Sequence, residues 1–196
     1  SDWDKYLNVH SDKYFNKKTN LINQFLNECS EDSYVVDLGS NLTTLKSEKI
    51  KVRIDNDMSI CRQMRNSLSS NKIVLQLDIA KALSNTNVST FNALNLSGNA
   101  RYAVMTSIIH HLIIDYGLNP DIFYKNLSLL YDEILLEFPL KEDPMVQLLM
   151  RKKNEFIKWD WESNQLDFCS KYFEISNQTM LDETRMAFTL KNRNIK

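Results

Sequence analysis

The chain has 196 residues, enough to bury a substantial core in one domain and short for two. Its 24 Lys and Arg nearly cancel 25 Asp and Glu, so no overall field recruits nucleic acid or an anionic membrane, and neither is expected as an obligate partner. The three cysteines, Cys29, Cys61 and Cys169, are odd in number and far apart, with no C-x-x-C pair and no histidine cluster nearby; this argues against a disulfide frame or a bound metal and predicts reduced thiols.

From the start of the chain, Tyr6, Leu7, Val9, Tyr14, Phe15, Leu21, Ile22, Phe25 and Leu26 recur at mostly three- and four-residue intervals, which predicts one or two amphipathic helices as a cap over 1–28. After a polar break, Val35-Val36-Asp37-Leu38 reads as a first strand and 50–54 as a second. A helix over 58–68 then carries Ile60, Met64 and Leu68 on one face, and 73–77 is a third strand ending at Asp78. The polar stretch 84–99 reads as helix and loop, 102–106 as a fourth strand, and 110–114 as a helical run. Gly117-Leu118-Asn119-Pro120 opens a helix to about 130, and the nearly all-apolar 133–138 suits a central parallel strand. Pro139 and Pro144 bracket a turn before a helix over 145–161; 172–176 and 185–190 form two strands joined by a turn region at 177–184. Strands alternating with helices give a doubly wound α/β core over 33–140, followed by a helical insertion over 141–171 and terminal strands over 172–191, all within one domain. No secretory signal and no apolar run of bilayer length is present, which predicts a soluble, cytoplasmic protein.

Three consecutive strands end in Asp37, Asp55 and Asp78, and a parallel sheet brings those tips to the carboxyl edge where such sheets bind ligands. Gly39 supplies a turn at which the backbone can approach a ligand; Asp55, eighteen positions after Asp37, is spaced to accept ribose hydroxyls. Asp55 also reads as an N-cap for the helix that follows, a task Asp57 can perform equally well. The aromatic residues Phe156, Trp159, Trp161, Phe168, Tyr172 and Phe173 read as core ahead of a substrate lid, and Arg151-Lys152-Lys153 as a solvated helix face.

Together these residues resemble a class I S-adenosylmethionine-dependent methyltransferase, and more narrowly the bacterial group related to nodulation-type methyltransferases. The resemblance runs through Trp3, Tyr14-Phe15, Lys18, Asp37-Leu38-Gly39, Ile54-Asp55-Asn56-Asp57, Asp78, Ile109-His110-His111-Leu112, Phe173-Glu174-Ile175 and, most specifically, Glu137-Phe138-Pro139 with Asp143-Pro144-Met145-Val146. It implies a Rossmann-like, mostly parallel seven-stranded sheet with a terminal antiparallel pair and an N-terminal helical cap. It also implies S-adenosylmethionine as cofactor and methyl transfer to a small-molecule or sugar-like acceptor. By that resemblance Gly39 faces the methionine moiety, Asp55 the ribose and Asp78 the adenine; Lys18, Asp37, Ser40, Asn41, Asn56, Ile79 and Thr106 complete the expected cofactor-binding set.

His110 and His111, after the fourth strand, are the candidate general bases, because an unperturbed imidazole titrates near neutrality. Glu137, at the tip of the fifth strand, is the candidate carboxylate that orients one of them. The family pattern Asp-Leu-Gly-x-Asn-x-Gly is incomplete, because Thr43 stands where its second glycine falls, and the connection from Gly39 to Asp55 is short. An inactive methyltransferase-like binding or scaffold domain therefore stands beside the enzyme, and a place within a larger polypeptide or assembly stays open. The lack of a full Gly-x-Gly-x-x-Gly turn argues against a nicotinamide-dependent oxidoreductase.

Overall fold

Ser11 opens the first helix, α1 (Asp12–Glu28), by accepting the Tyr14 N–H on its Oγ at 3.3 Å. The computed structural model describes residues 11–40, 47–67, 71–84, 94, 100–153 and 161–194. After α1 come β1 (Tyr34–Leu38), β2 (Ile50–Asp55), α2 (Met58–Ser67), β3 (Ile73–Gln76), α3 (Ile79–Ser84) and β4 (Ala100–Met105). A π-helix (His111–Asp115) leads to α4 (Pro120–Leu130), β5 (Glu133–Pro139), α5 (Pro144–Lys153), α6 (Trp161–Tyr172), β6 (Phe173–Met180) and β7 (Arg185–Asn192).

The strands form one seven-stranded sheet in the order β3-β2-β1-β4-β5-β7-β6. β1 to β5 are parallel, and β7 runs antiparallel to both β5 and β6. This is the Rossmann-like sheet with a terminal antiparallel pair that the sequence predicts. Successive side chains of a strand point to opposite faces, and the core divides accordingly. Val36, Leu38, Val52, Ile54, Ala103, Met105, Ile134 and Leu136 pack on the side of α3 to α6. Val35, Val104 and Leu135 pack with Tyr14, Ile22, Phe25 and Leu26 of α1 on the other, and Ile50 joins them out of alternation with Val52 because the β1–β2 register shifts between Val35 and Val36. Asp37, Arg53 and Glu137 share the second parity, so the strands turn them toward the α1 face.

Several elements differ from the sequence expectation. The helical run expected at 110–114 takes the π form over His111–Asp115: the Tyr116 N–H reaches the His111 carbonyl five residues back at 2.9 Å, and the chain then turns at Gly117 with φ +72°. The helix expected over 145–161 spans Pro144–Lys153 among the described residues, and a separate helix follows at Trp161–Tyr172. That second helix buries only Trp161, Gln165 and Cys169, a narrow stripe with an amide in its middle, which carries little hydrophobic periodicity. β6 continues through the polar residues Asn177 and Gln178, read from the sequence as turn; as an edge strand it leaves them exposed, so polarity costs it nothing. Trp161 and Phe173 are core, the former stacked on Phe138 at 5.4 Å and donating its indole N–H to the Pro139 carbonyl. Cys29, Cys61 and Cys169 are free and buried. Among the described residues no helix is long and apolar enough to cross a membrane.

Candidate functional site

β1 neighbours both β2 and β4, so the chain's direction across the sheet reverses there, and a crevice opens beyond the strand tips. A cavity of about 290 Å³ lies in it. Its floor comes from the segments after β1 and β4, Gly39 with Ser107 and Ile108; its sides come from Asp55 and Asn56 after β2, Asp78 and Ile79 after β3, and the π-helix region. Gly39 has φ +73°, and a Cβ there would fall 2.4 Å from Ile108 Cδ1. Only glycine combines that backbone with so close an approach of the β4 loop.

The acids at the strand tips separate by environment. Asp57 caps α2, its Oδ1 accepting the N–H groups of Ser59 and Ile60 at 2.7 and 3.3 Å, which resolves the choice between Asp55 and Asp57. Asp55 is left to face the cavity, its Oδ1 accepting the Asp57 N–H at 2.8 Å. Burial raises its pKa, with that N–H as a partial offset. Asp78 also lines the cavity while capping α3 through the Lys81 N–H at 3.1 Å. Asp37 does not line it: β1 and β2 pair Asp37 with Arg53, and the guanidinium donates to the Asp37 carboxylate at 2.8 Å and to Ser40 Oγ at 2.9 Å. Ser40 donates in turn to Asp37 at 2.6 Å. Asp37 and Ser40 thus stiffen the turn that carries Gly39. Thr106 is buried at the end of β4 and outside the lining, and Asn41 lies outside the described residues, as do Leu42 and Thr43.

His110 and His111 both line the cavity, their rings 4.3 Å apart. His110 is 1% exposed, and its Nδ1 has no hydrogen-bond partner among the described residues. Burial pushes its pKa well below the ordinary histidine value, with the His111 and Arg185 charges adding to the effect. His111 is lowered as well, again chiefly by burial. The near-neutral titration of an unperturbed imidazole therefore gives way to an imidazole that stays neutral into the acidic range.

Glu137 does not meet His110. Its carboxylate accepts from Tyr14 Oη at 2.7 Å, pairs with Lys18 Nζ at 2.7 Å and Arg185 Nη1 at 2.7 Å, and lies 3.2 Å from Ser107 Oγ. Burial alone would raise its pKa, but the Lys18 ammonium and Arg185 guanidinium overcome that and hold it below the usual carboxylate range. The expected orienting partner of a histidine is instead the centre of a buried ionic network. Lys18, expected at the cofactor, is held in the same network, also donating to Ser107 Oγ at 2.9 Å. Arg185 extends the network to Asp143 at 2.7 Å, and Asp143 caps α5 through the N–H of Met145 at 2.9 Å. The cavity feels this network through Ser107, a non-glycine residue with φ 60° whose hydroxyl the network clamps.

Of the expected cofactor set, the fold gathers Gly39, Asp55, Asn56, Asp78 and Ile79 around the cavity and leaves Lys18, Asp37, Ser40 and Thr106 outside its lining. Ser107, Ile108, Asp115, Tyr116 and Met145 line it without having been expected. Arg185 was missed because its role depends on antiparallel register: β7 places it opposite Pro139, at the tip of β5.

No family model matches the chain, and no curated protein is similar to it in sequence. Solved structures share its fold. WbdD aligns over 90% of this chain with a TM-score of 0.62 and 17% identity. WbdD is a bifunctional kinase-methyltransferase, and this chain spans 40% of the length of that structure. PH0226 from Pyrococcus horikoshii OT3 aligns over 95% of this chain and 94% of its own at TM-score 0.59 and 12% identity. An S-adenosylmethionine-dependent methyltransferase from Aquifex aeolicus aligns over 88% of both chains at TM-score 0.56 and 13% identity. At these identities the likeness is one of architecture: the chain has the Rossmann-like fold of S-adenosylmethionine-dependent methyltransferases.

Proposed function

We propose that this protein is an S-adenosylmethionine-dependent methyltransferase acting on a small-molecule or sugar-like acceptor. The observation that carries the reading is the meeting, in one cavity at the switch point of the sheet, of a left-handed Gly39, a buried Asp55 relieved of helix capping, and a neutral His110 whose Nδ1 has no partner among the described residues. These groups fit the cofactor. A carboxylate at the tip of β2 suits the two hydroxyls of a ribose, and the Gly39 turn suits close passage of a backbone-hugging chain. Asp78 and Ile79 suit the purine end.

When bound, S-adenosylmethionine supplies a methyl group already made electrophilic by its sulfonium. The protein's own tasks are alignment, exclusion of water and removal of a proton. Asp55 accepts hydroxyls, Leu112 and Met145 present apolar wall, and His110 or His111 takes the acceptor's proton as a neutral imidazole. Lining carboxylates Asp55, Asp78 and Asp115 give the described part of the cavity an acidic character, which favours a neutral acceptor over a phosphorylated one. Calorimetric titration with S-adenosylhomocysteine tests the reading without knowledge of the acceptor. Saturable binding is expected, and no binding up to millimolar ligand would overturn it.

A further inference from the structure

Three residues of the cavity lining are exposed: Asn56, Asp115 and Tyr116. They form its rim, and two of them are joined across it. The Asn56 side-chain amide donates to the Tyr116 hydroxyl at 3.0 Å, although the residues stand sixty positions apart, one after β2 and the other after the π-helix. Each end of this bridge is anchored in backbone. Asn56 follows Asp55, whose carboxylate holds the next N–H, and its own carbonyl accepts from Gln76 on the edge strand at 3.4 Å. Tyr116 is fixed through its N–H to the His111 carbonyl.

The π-helix explains why Tyr116 reaches the rim at all. A turn closed over five residues is wider than an α turn, so residues five apart share a face where an α-helix would separate them. His111 and Tyr116 are such a pair, and both line the cavity. The widened turn thus sets an imidazole inside the cavity and a phenol at its mouth.

We propose that the Asn56–Tyr116 hydrogen bond is a latch over the nucleoside end of the cofactor cavity, an inference that rests on the methyltransferase reading. The bond spans the mouth beside Asp55, so a nucleoside entering that end must break it, and the bond re-forms over the occupant. Tyr116 is on this view a gating and positioning residue. Its phenyl face bounds the purine end, and its hydroxyl sets the rates of entry and release.

The test is stopped-flow association and dissociation of S-adenosylhomocysteine with the wild type, Tyr116→Phe, Asn56→Ala and the double variant. Loss of one side-chain hydrogen bond should speed both entry and release by roughly three- to tenfold, with the dissociation constant moving less than either rate. The two substitutions should not add, because each removes the same bond. Thermal unfolding of Tyr116→Phe supplies the control, since a merely structural bond would lower the melting temperature and leave both rates alone. Wild-type rates in Tyr116→Phe would overturn the latch while leaving the cofactor reading intact. Faster release with unchanged entry would also overturn it, making Tyr116 an ordinary ligand contact. Failure of the wild type to bind would overturn both the cofactor reading and the latch.

Discussion

Glu137 lies on β5 and His110 just beyond the end of the neighbouring strand β4, each 1% exposed, yet their surroundings are opposite. Glu137 is charged and surrounded by Tyr14, Lys18, Ser107 and Arg185; His110 is neutral, and its Nδ1 has no partner among the described residues. A buried charge is tolerated only when paired and hydrogen-bonded, and such pairing removes it from chemistry. A buried neutral imidazole costs less to leave open, and His110 lines the cavity. The contrast separates the group that holds the site together from the group able to act in it.

The largest effect should come from His110. His110→Gln is expected to bind S-adenosylhomocysteine as the wild type does while turnover falls on the order of 10²- to 10⁴-fold, the usual contribution of a positioned base. Full activity in this variant and in His111→Gln would leave both residues to packing.

Glu137→Gln should act on stability instead. It takes from the buried Lys18 ammonium and from Arg185 a carboxylate they share, at a cost of about 3–5 kcal/mol in chemical denaturation. The native carboxyl lies below its ordinary value, so the network's contribution is present above the unfolded carboxylate pKa and is lost as pH falls below it. A Glu137→Gln protein of wild-type stability with reduced turnover would reverse the division of labour argued above.

Asp55→Ala should weaken cofactor binding at least tenfold, since each lost hydrogen bond to a charged acceptor is worth about 1.5–3 kcal/mol. Titration calorimetry reads this directly, and an unchanged affinity would remove Asp55 from the site.

The smallest effect is in pH dependence. Because burial lowers the native pKa of His110, the unfolded chain binds the proton first, and stability falls as pH drops through the ordinary histidine value near 6.5. Between pH 6.5 and 5.5 the wild type should lose up to about 1 kcal/mol more than His110→Gln. The activity profile should correspondingly stay flat from pH 8 through 6.5, where an unperturbed histidine base would give a rising limb.

Much of the site was legible before any coordinates. The glycine turn after β1 and the acids at the tips of β2 and β3 all reach the cavity, because in a parallel sheet the strand tip itself dictates the location. Asp37 shows where that logic stops. Asp55 is the last residue of β2, but Asp37 stands one residue inside β1, where the register sets it against Arg53, which claims the carboxylate. Tyr116 was invisible for another reason: nothing in His-Leu-Ile-Ile-Asp distinguishes a π turn from an α turn, and that one-residue difference decides which face the tyrosine takes.

The sequence by itself determined the order of the seven strands along the chain and the gathering of Gly39, Asp55 and Asp78 at one edge. These follow from periodicity and from the parallel arrangement, both local properties of the chain. Tertiary structure decided the rest: that Glu137 belongs to Lys18 and Arg185 rather than to His110, that Asp57 rather than Asp55 caps α2, and that Asn56 meets Tyr116 across the rim. Each of these is a competition among several partners for one polar group, and only the distances of the folded chain settle which partner wins.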